Sequence, residues 1–207
     1  MRPRLRAPLS SMDDGFLLRP IRAADAESDF EAITESKAFL RRWEQTGWPS
    51  DDFTVEANRE DLVRLARRHD DGEAFTYTVA DTADGANLGC VYVFPTSSML
   101  FAKSRVVETG KAKWSDFEIA LYFWVRTSRL PEHADRKLLR ALDRWLEDEW
   151  SVITHLVVTS EYAEPQITTI ENSGREPLFE LHFPNKPGRE LAYGARRVRP
   201  SPHHSTN

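Results

Sequence analysis

Between Phe117 and Leu146 the apolar residues change their period once, and that change limits the folds open to the chain. Phe117, Ile119, Leu121, Phe123 and Val125 alternate with Glu118, Ala120, Tyr122 and Trp124, the period of two that places the first set on one face of a strand and the second on the other. Further on, Leu138, Leu139, Leu142, Trp145 and Leu146 recur at helical spacing, a stripe about 100° wide with a charged face opposite. A strand that runs through a loop into an amphipathic helix often holds a phosphate group at the helix N-terminus. The loop here, Arg126 to Asp135, contains no glycine.

The remaining segments supply partners for this pair. FLLRPI (Phe16 to Ile21) has strand composition, and Asp25 is placed to cap a helix carrying Ala26, Phe30 and Ile33. After a polar stretch with Trp43, Gly47 and Trp48, a second helix is expected from about Glu56 to Arg68, with Leu62, Leu65 and Ala66 on one face. Ala74 to Asp81 and Asn87 to Pro95, separated by TADGA, read as an antiparallel hairpin. A long polar connection from Thr96 to Ser115 leads to the central strand as the next arm. His155 to Ser160 reads as a short buried strand, and a weaker helix from roughly Pro165 to Ser173 stops at Gly174. Two strands follow near Leu178 and Leu191. The expected order is β-α-α-β-β-β-α-β-α-β-β. Residues 1–14 and the tail 199–207 offer no periodic apolar face and are expected to stay unpaired, His203 and His204 included, which leaves one domain over 15–198.

At 207 residues, 40% hydrophobic and 29% charged, the chain has enough apolar surface for one core. A formal net charge of -5 gives no global basic field, so nucleic acid and anionic membrane are not expected partners. The longest apolar run, Ile119 to Val125, is far short of the roughly 20 residues of a bilayer span. The N-terminal MRPRLRAPLSSMDDG lacks the apolar centre of a secretory signal, which makes the cytoplasm the expected compartment. Cys90 is alone, with no disulfide partner or thiolate cluster, and reads as a small buried hydrophobe. No metal site is expected.

Four phrases in this order carry a resemblance: LRPIRAADA, LGCVYVF with Gly89, FEIALYFWV with Glu118, and PQITTIENSG ending at Gly174. From about Phe16 to Arg197 the sequence resembles the GNAT superfamily of N-acetyltransferases, closest to the branch containing ribosomal-protein and other N-terminal acetyltransferases. The resemblance implies an α/β (α+β) fold, with a mixed, mostly antiparallel sheet of about six to seven strands and about four flanking helices. It implies acetyl-CoA as cosubstrate, with no metal. The acceptor is then the amine of a small molecule or of a peptide or protein N-terminus, with homodimerisation left open. The alternative is a GNAT-fold ligand-binding or interaction module that no longer catalyses.

The family's Q/R-x-x-G-x-G/A loop is altered, its two glycine positions falling on His133 and Asp135. On one reading Pro131 and Asp135 only start and cap a structural helix. On the other, Arg126, Arg129 and Arg136 supply side-chain charge in place of the backbone cradle. The resemblance also assigns the backbone of Trp124, Val125 and Arg126 to the cofactor and oxyanion, and places His133, Asp135 and Gln166 at the cofactor. Glu118 is the candidate base, its pKa raised by burial beside Tyr122 and Trp124, with a surface ion pair to an arginine as the alternative. The late helix has Ile170 and Gln166 where the family has tyrosine or serine, so Tyr162, one helical turn before Gln166, is the substitute acid, or else only packs on the sheet. Trp43, Trp48 and Trp114 are candidates for an aromatic acceptor pocket.

Overall fold

The computed structural model describes residues 11–13, 15–150, 152 and 154–195. The expected tail, with His203 and His204, and most of the N-terminal arm lie outside the described residues. Ser11–Asp13, expected to be unpaired, forms a short strand β1 that pairs with β2, Phe16–Pro20. After a 3-10 turn at Ala23–Asp25 come helices α1 (Ala26–Glu35), α2 (Lys37–Glu44) and α3 (Val55–Asp70). Strands β3 (Phe75–Asp81) and β4 (Asn87–Pro95) form the expected hairpin. The connection to the central strand holds a short helix α4 (Met99–Ala102) and a strand β5 (Arg105–Glu108). The central strand β6 spans Ile119–Val125, followed by a 3-10 segment, Thr127–Glu132, and helix α5, Ala134–Asp148. Then come β7 (His155–Ser160), α6 (Glu164–Asn172), β8 (Arg175–His182) and β9 (Glu190–Ala195).

Among the described residues the strands form one sheet in the order β1-β2-β3-β4-β6-β7-β9-β8-β5, nine strands rather than six or seven. Every neighbouring pair is antiparallel except β6 and β7. A parallel pair needs a crossover, and α5 supplies it. The extra strands are the short β1 and β5 at the two edges. The additional helix α2 lies in the polar stretch, where Phe39, Leu40 and Trp43 form its buried stripe.

The period change seen in the sequence sets the layers. Ile119, Leu121, Phe123 and Val125 of β6 belong to one core with Leu138, Leu139, Leu142, Trp145 and Leu146 of α5. Ala120, Tyr122 and Trp124 face a second core with α1, α2 and Leu62 of α3. All seven residues of β6 are buried, because helices cover both faces of the sheet at this strand. Phe117 departs from the expected alternation: it precedes the strand and joins the second core. Asp25 does not cap α1 with its side chain. It takes two hydrogen bonds from Arg19, at 2.7 and 2.6 Å, and one from Thr78. Cys90 is buried as expected, its thiol directed at Asp29 Oδ1 at 3.4 Å. Among the described residues no helix is long and apolar enough to cross a membrane.

Candidate active site

The two central strands do not stay together. β6 and β7 are in register only at Ile119, Ala120 and Leu121, opposite His155, Leu156 and Val157; beyond Leu121 they part. Backbone alternation decides which groups face the opening. Arg126 donates its N–H to Leu88 O at 2.7 Å, so Arg126 and Trp124 direct their N–H groups into the β4 ladder. Phe123 and Val125 direct theirs into the splay. Of the three residues expected to offer backbone N–H groups there, only Val125 does so, and Phe123 joins it.

Gly89 lets β4 come close at this point. It lies opposite Val125, its φ is 143°, and a Cβ there would sit 2.0 Å from Trp124 O. On the α6 side, Gln166 reaches into the splay. Its Nε2 donates to Phe123 O at 2.7 Å, and its Oε1 accepts from Thr159 at 2.5 Å, a side-chain bridge between strands that no longer pair. The buried Gln166 therefore occupies part of the space where the resemblance places the cofactor.

The loop into α5 keeps one property of a glycine loop without the glycine. His133 is the N-cap of α5 and has φ 57° and ψ 34°, the left-handed conformation glycine adopts freely. The first intrahelical bond runs from Lys137 N to His133 O at 3.0 Å, so the N–H groups of Ala134, Asp135 and Arg136 precede the helical ladder. Asp135 is not the cap. It sits in the first turn, and its Oδ2 accepts from Thr169 of α6 at 2.6 Å.

The arginines behave differently from one another. Arg126 binds Glu35 at 2.9 and 2.6 Å and also donates to Asn87 O, closing the end of α1 onto the loop. Glu35 further accepts from Ser128 N at 2.8 Å, and Ser36 Oγ accepts from Thr127 N at 3.1 Å. Burial acts to raise the Glu35 pKa, but the Arg126 and Ser128 hydrogen bonds outweigh it and hold the carboxyl down at about 2. Arg129 lies 3.5 to 3.6 Å from Asp81, Asp84 and Glu132. His133, Arg136 and Lys137 are exposed at the start of α5. The α5 terminus thus combines N–H groups ahead of the helical ladder, a left-handed entry and exposed Arg136 and Lys137, with the Asp135 carboxylate in the same first turn.

The two candidate catalytic side chains lie apart. Glu118 is exposed and precedes β6, so the expected burial beside Tyr122 and Trp124 is not there. At about 3.3 Å per residue, its backbone lies roughly 13 Å from that of Tyr122, on the side where β6 and β7 still pair. Tyr162 stands just past β7, at the open end of the splay, and is 47% exposed. Ile170 is part of the core around α5.

On the opposite face of the sheet a cavity of about 390 Å³ lies against β4 and β6. Trp43, Trp48, Tyr92, Phe94, Tyr122 and Phe183 form its aromatic walls. Trp114 does not line it, packing instead on Phe101 and Phe179. Glu44, Lys186 and Glu190 bring charge to this cavity, and sequence reasoning missed all three. Tyr122 donates to Glu190 Oε2 at 2.7 Å, and Lys186 Nζ lies 2.7 Å from Glu190 and 3.4 Å from Glu44. Glu190 pairs in register with Ser160 at the end of β7, so the Tyr122–Glu190 bond spans the splay from this side. Burial lowers the Lys186 pKa, but Glu190 and Glu44 outweigh it and raise the pKa overall. Burial pushes the Glu44 carboxyl up, with Lys186 opposing. The signal in the sequence was slight: Glu44 follows Trp43, and Lys186 follows Phe183 by three residues.

Solved structures share this architecture. The ribosomal-protein-S5-alanine acetyltransferase from Vibrio fischeri superposes with a TM-score of 0.63 at 14% identity, covering 93% of this chain and 100% of that one. RimL, a ribosomal L7/L12 alpha-N-protein acetyltransferase solved in complex with coenzyme A, has a TM-score of 0.62 at 12% identity, with 90% and 95% covered. A GNAT family acetyltransferase from Bacillus anthracis has a TM-score of 0.62 at 11% identity, with 89% and 96% covered. Neither a family model nor a curated protein matches the sequence. The chain has the fold of the GNAT N-acetyltransferases.

Proposed function

We propose that the protein is an acyl-CoA-dependent N-acyltransferase that moves an acetyl group from acetyl-CoA to an amine. The observation that carries this reading is the parting of β6 from β7 beyond Leu121, which leaves the edge of Phe123 and Val125 that faces away from β4 without a strand partner, inside a sheet covered on both faces. An extended donor arm containing amides can pair with such an edge. The α5 terminus would hold the pyrophosphate, with Arg136 beside it, and the aromatic cavity lies on the opposite face for the acceptor.

In the reaction, the amine nitrogen lone pair forms a bond to the thioester carbonyl carbon, and the C–S bond breaks. The Phe123 and Val125 N–H groups are the backbone donors available to the oxyanion. The amine proton passes to a carboxylate, and the departing CoA thiolate takes up a proton. Exposed Tyr162, at the open end of the splay, is the proposed proton source. Glu118 lies on the closed side and is the weaker candidate base; Glu44, which lines the aromatic cavity together with Tyr122 of β6, is the better placed. The same fold in RimL, solved with coenzyme A, supports the choice of donor.

A second reading, a binding module without catalysis, is favoured by Gln166, which fills the splay, and by Arg126, whose charge is committed to Glu35. Titration with acetyl-CoA separates the two. The enzyme reading expects micromolar binding and a rise in Tm, since ligand at 100-fold over Kd stabilises by about 2.7 kcal/mol. No binding at millimolar acetyl-CoA overturns it.

A further inference from the structure

The charged groups of the aromatic cavity are not arranged alike. Glu190 is nearly fully buried and already satisfied, by the Tyr122 hydroxyl and by Lys186, so these three form a fixed frame. Glu44 is different. Its side chain is 34% exposed, its contact with Lys186 is the longer one at 3.4 Å, and it lines the cavity. A carboxylate has about four acceptor sites, and the Lys186 contact uses one of them. The formal charge of the lining is one net negative, from Glu44 and Glu190 against Lys186.

The walls favour a planar or compact apolar body. Trp43 lies 6.2 Å from both Tyr92 and Tyr122, and Phe94 lies 5.7 Å from Tyr122, so the rings hold one another in place. Trp43 is buried and Leu65 and Leu100 add aliphatic surface. At about 390 Å³ the cavity is at the small end of the range, about 300 to 1,000 Å³, that takes drug-sized ligands. Aromatic faces also attract an organic cation; Arg68 already stands 5.8 Å from the Phe94 ring and Lys186 5.7 Å from that of Phe183, whereas no cation stands over Trp43 or Trp48 among the described residues.

We infer that this cavity binds a small primary amine carried on an aromatic body, the ammonium pairing with Glu44 and the ring lying among Trp43, Trp48 and Phe94. As the acceptor, this ligand rests on the acyltransferase reading. A polypeptide N-terminus fits the cavity less well, because its first peptide groups need several donors and acceptors, and beyond the charged groups the side-chain lining offers Asn185, two tyrosine hydroxyls, of which Tyr122 is committed to Glu190, and indole N–H groups, which only donate.

The test is calorimetry on the full chain with tryptamine as probe, without cofactor, and separately with acetyl-CoA. Tryptamine should bind, and tryptophol, with hydroxyl in place of ammonium, should bind at least about tenfold more weakly. Glu44→Gln should weaken tryptamine by a similar factor and leave acetyl-CoA affinity unchanged. The tryptophol comparison uses the unaltered protein and stands even if the variant fails to fold. No tryptamine binding at millimolar concentration, equal binding of tryptophol, or an unchanged affinity in a folded Glu44→Gln variant each overturns the inference. So does preferential binding of a short peptide with a free N-terminus. Tryptamine binding without acetyl-CoA binding would leave the cavity assignment standing and overturn the acyltransferase reading, whereas the reverse would do the opposite.

Discussion

Gly89 and His133 show how backbone conformation and residue type can part company. At Gly89 only a hydrogen fits, because the neighbouring strand's Trp124 carbonyl would lie 2.0 Å from any Cβ. Neither backbone nor carbonyl can yield without breaking the β4–β6 ladder at the edge of the splay. Gly89→Ala is therefore expected to cost about 3 kcal/mol or more, read by urea denaturation, and to disturb Val125, its register partner. At His133 the left-handed conformation persists although the side chain is not glycine's. The residue's φ could not be read from its identity, since histidine adopts this region only occasionally. Gly89 was legible in the sequence as part of LGCVYVF, whereas the reason for it, a carbonyl on another strand, was not.

Among the elements, α6 has the most specific local task. Its apolar spacing and its stop at Gly174 could be read from the sequence, but Gln166 gained meaning only when α6 was laid beside the splay, with Phe123 O and Thr159 within reach. Gln166→Ala should leave both groups buried without that partner and lower stability by about 1 to 3 kcal/mol in denaturant titration. Under the acyltransferase reading the same change frees the Phe123 carbonyl, and acetyl-CoA should bind as tightly as before or more tightly. A loss of affinity in the folded variant would instead make Gln166 a direct contact of the donor. Of the elements that could not be read, β1, α4 and β5 are too short for periodicity, whereas α2 lies in a stretch read as polar. β5 is a strand because β8 pairs with it, Arg105 to Glu108 against His182 to Phe179.

At the scale of the whole molecule, ion pairs between distant segments hold the helices to the sheet. The Glu35–Arg126 pair joins residues 91 positions apart and closes α1 onto the loop before α5. With the Glu35 pKa at about 2, below its unfolded value near 4.3, the pairing contributes fully above about pH 4.5. That contribution falls away as pH drops through the folded value. Acid unfolding should therefore steepen between about pH 4 and 2, and Glu35→Gln should flatten the stability profile in that window. Because Glu35 is partly exposed, the difference at neutral pH should be about 1 kcal/mol rather than the larger figure its shift suggests.

Taken alone, the sequence determined the layered α/β architecture, because a period of two followed by a helical period places apolar side chains on defined faces whatever they later touch. β6, α5, β7 and the hairpin of β3 and β4 follow from such local repetition. Only the tertiary structure decided that β6 and β7 part after Leu121, that Glu118 falls outside the enclosed region, and that Glu44, Lys186 and Glu190 meet around Tyr122. Periodicity records which face a residue occupies, whereas a site is made by the distances between residues far apart in the chain, and those distances are set when the two cores pack against a common sheet.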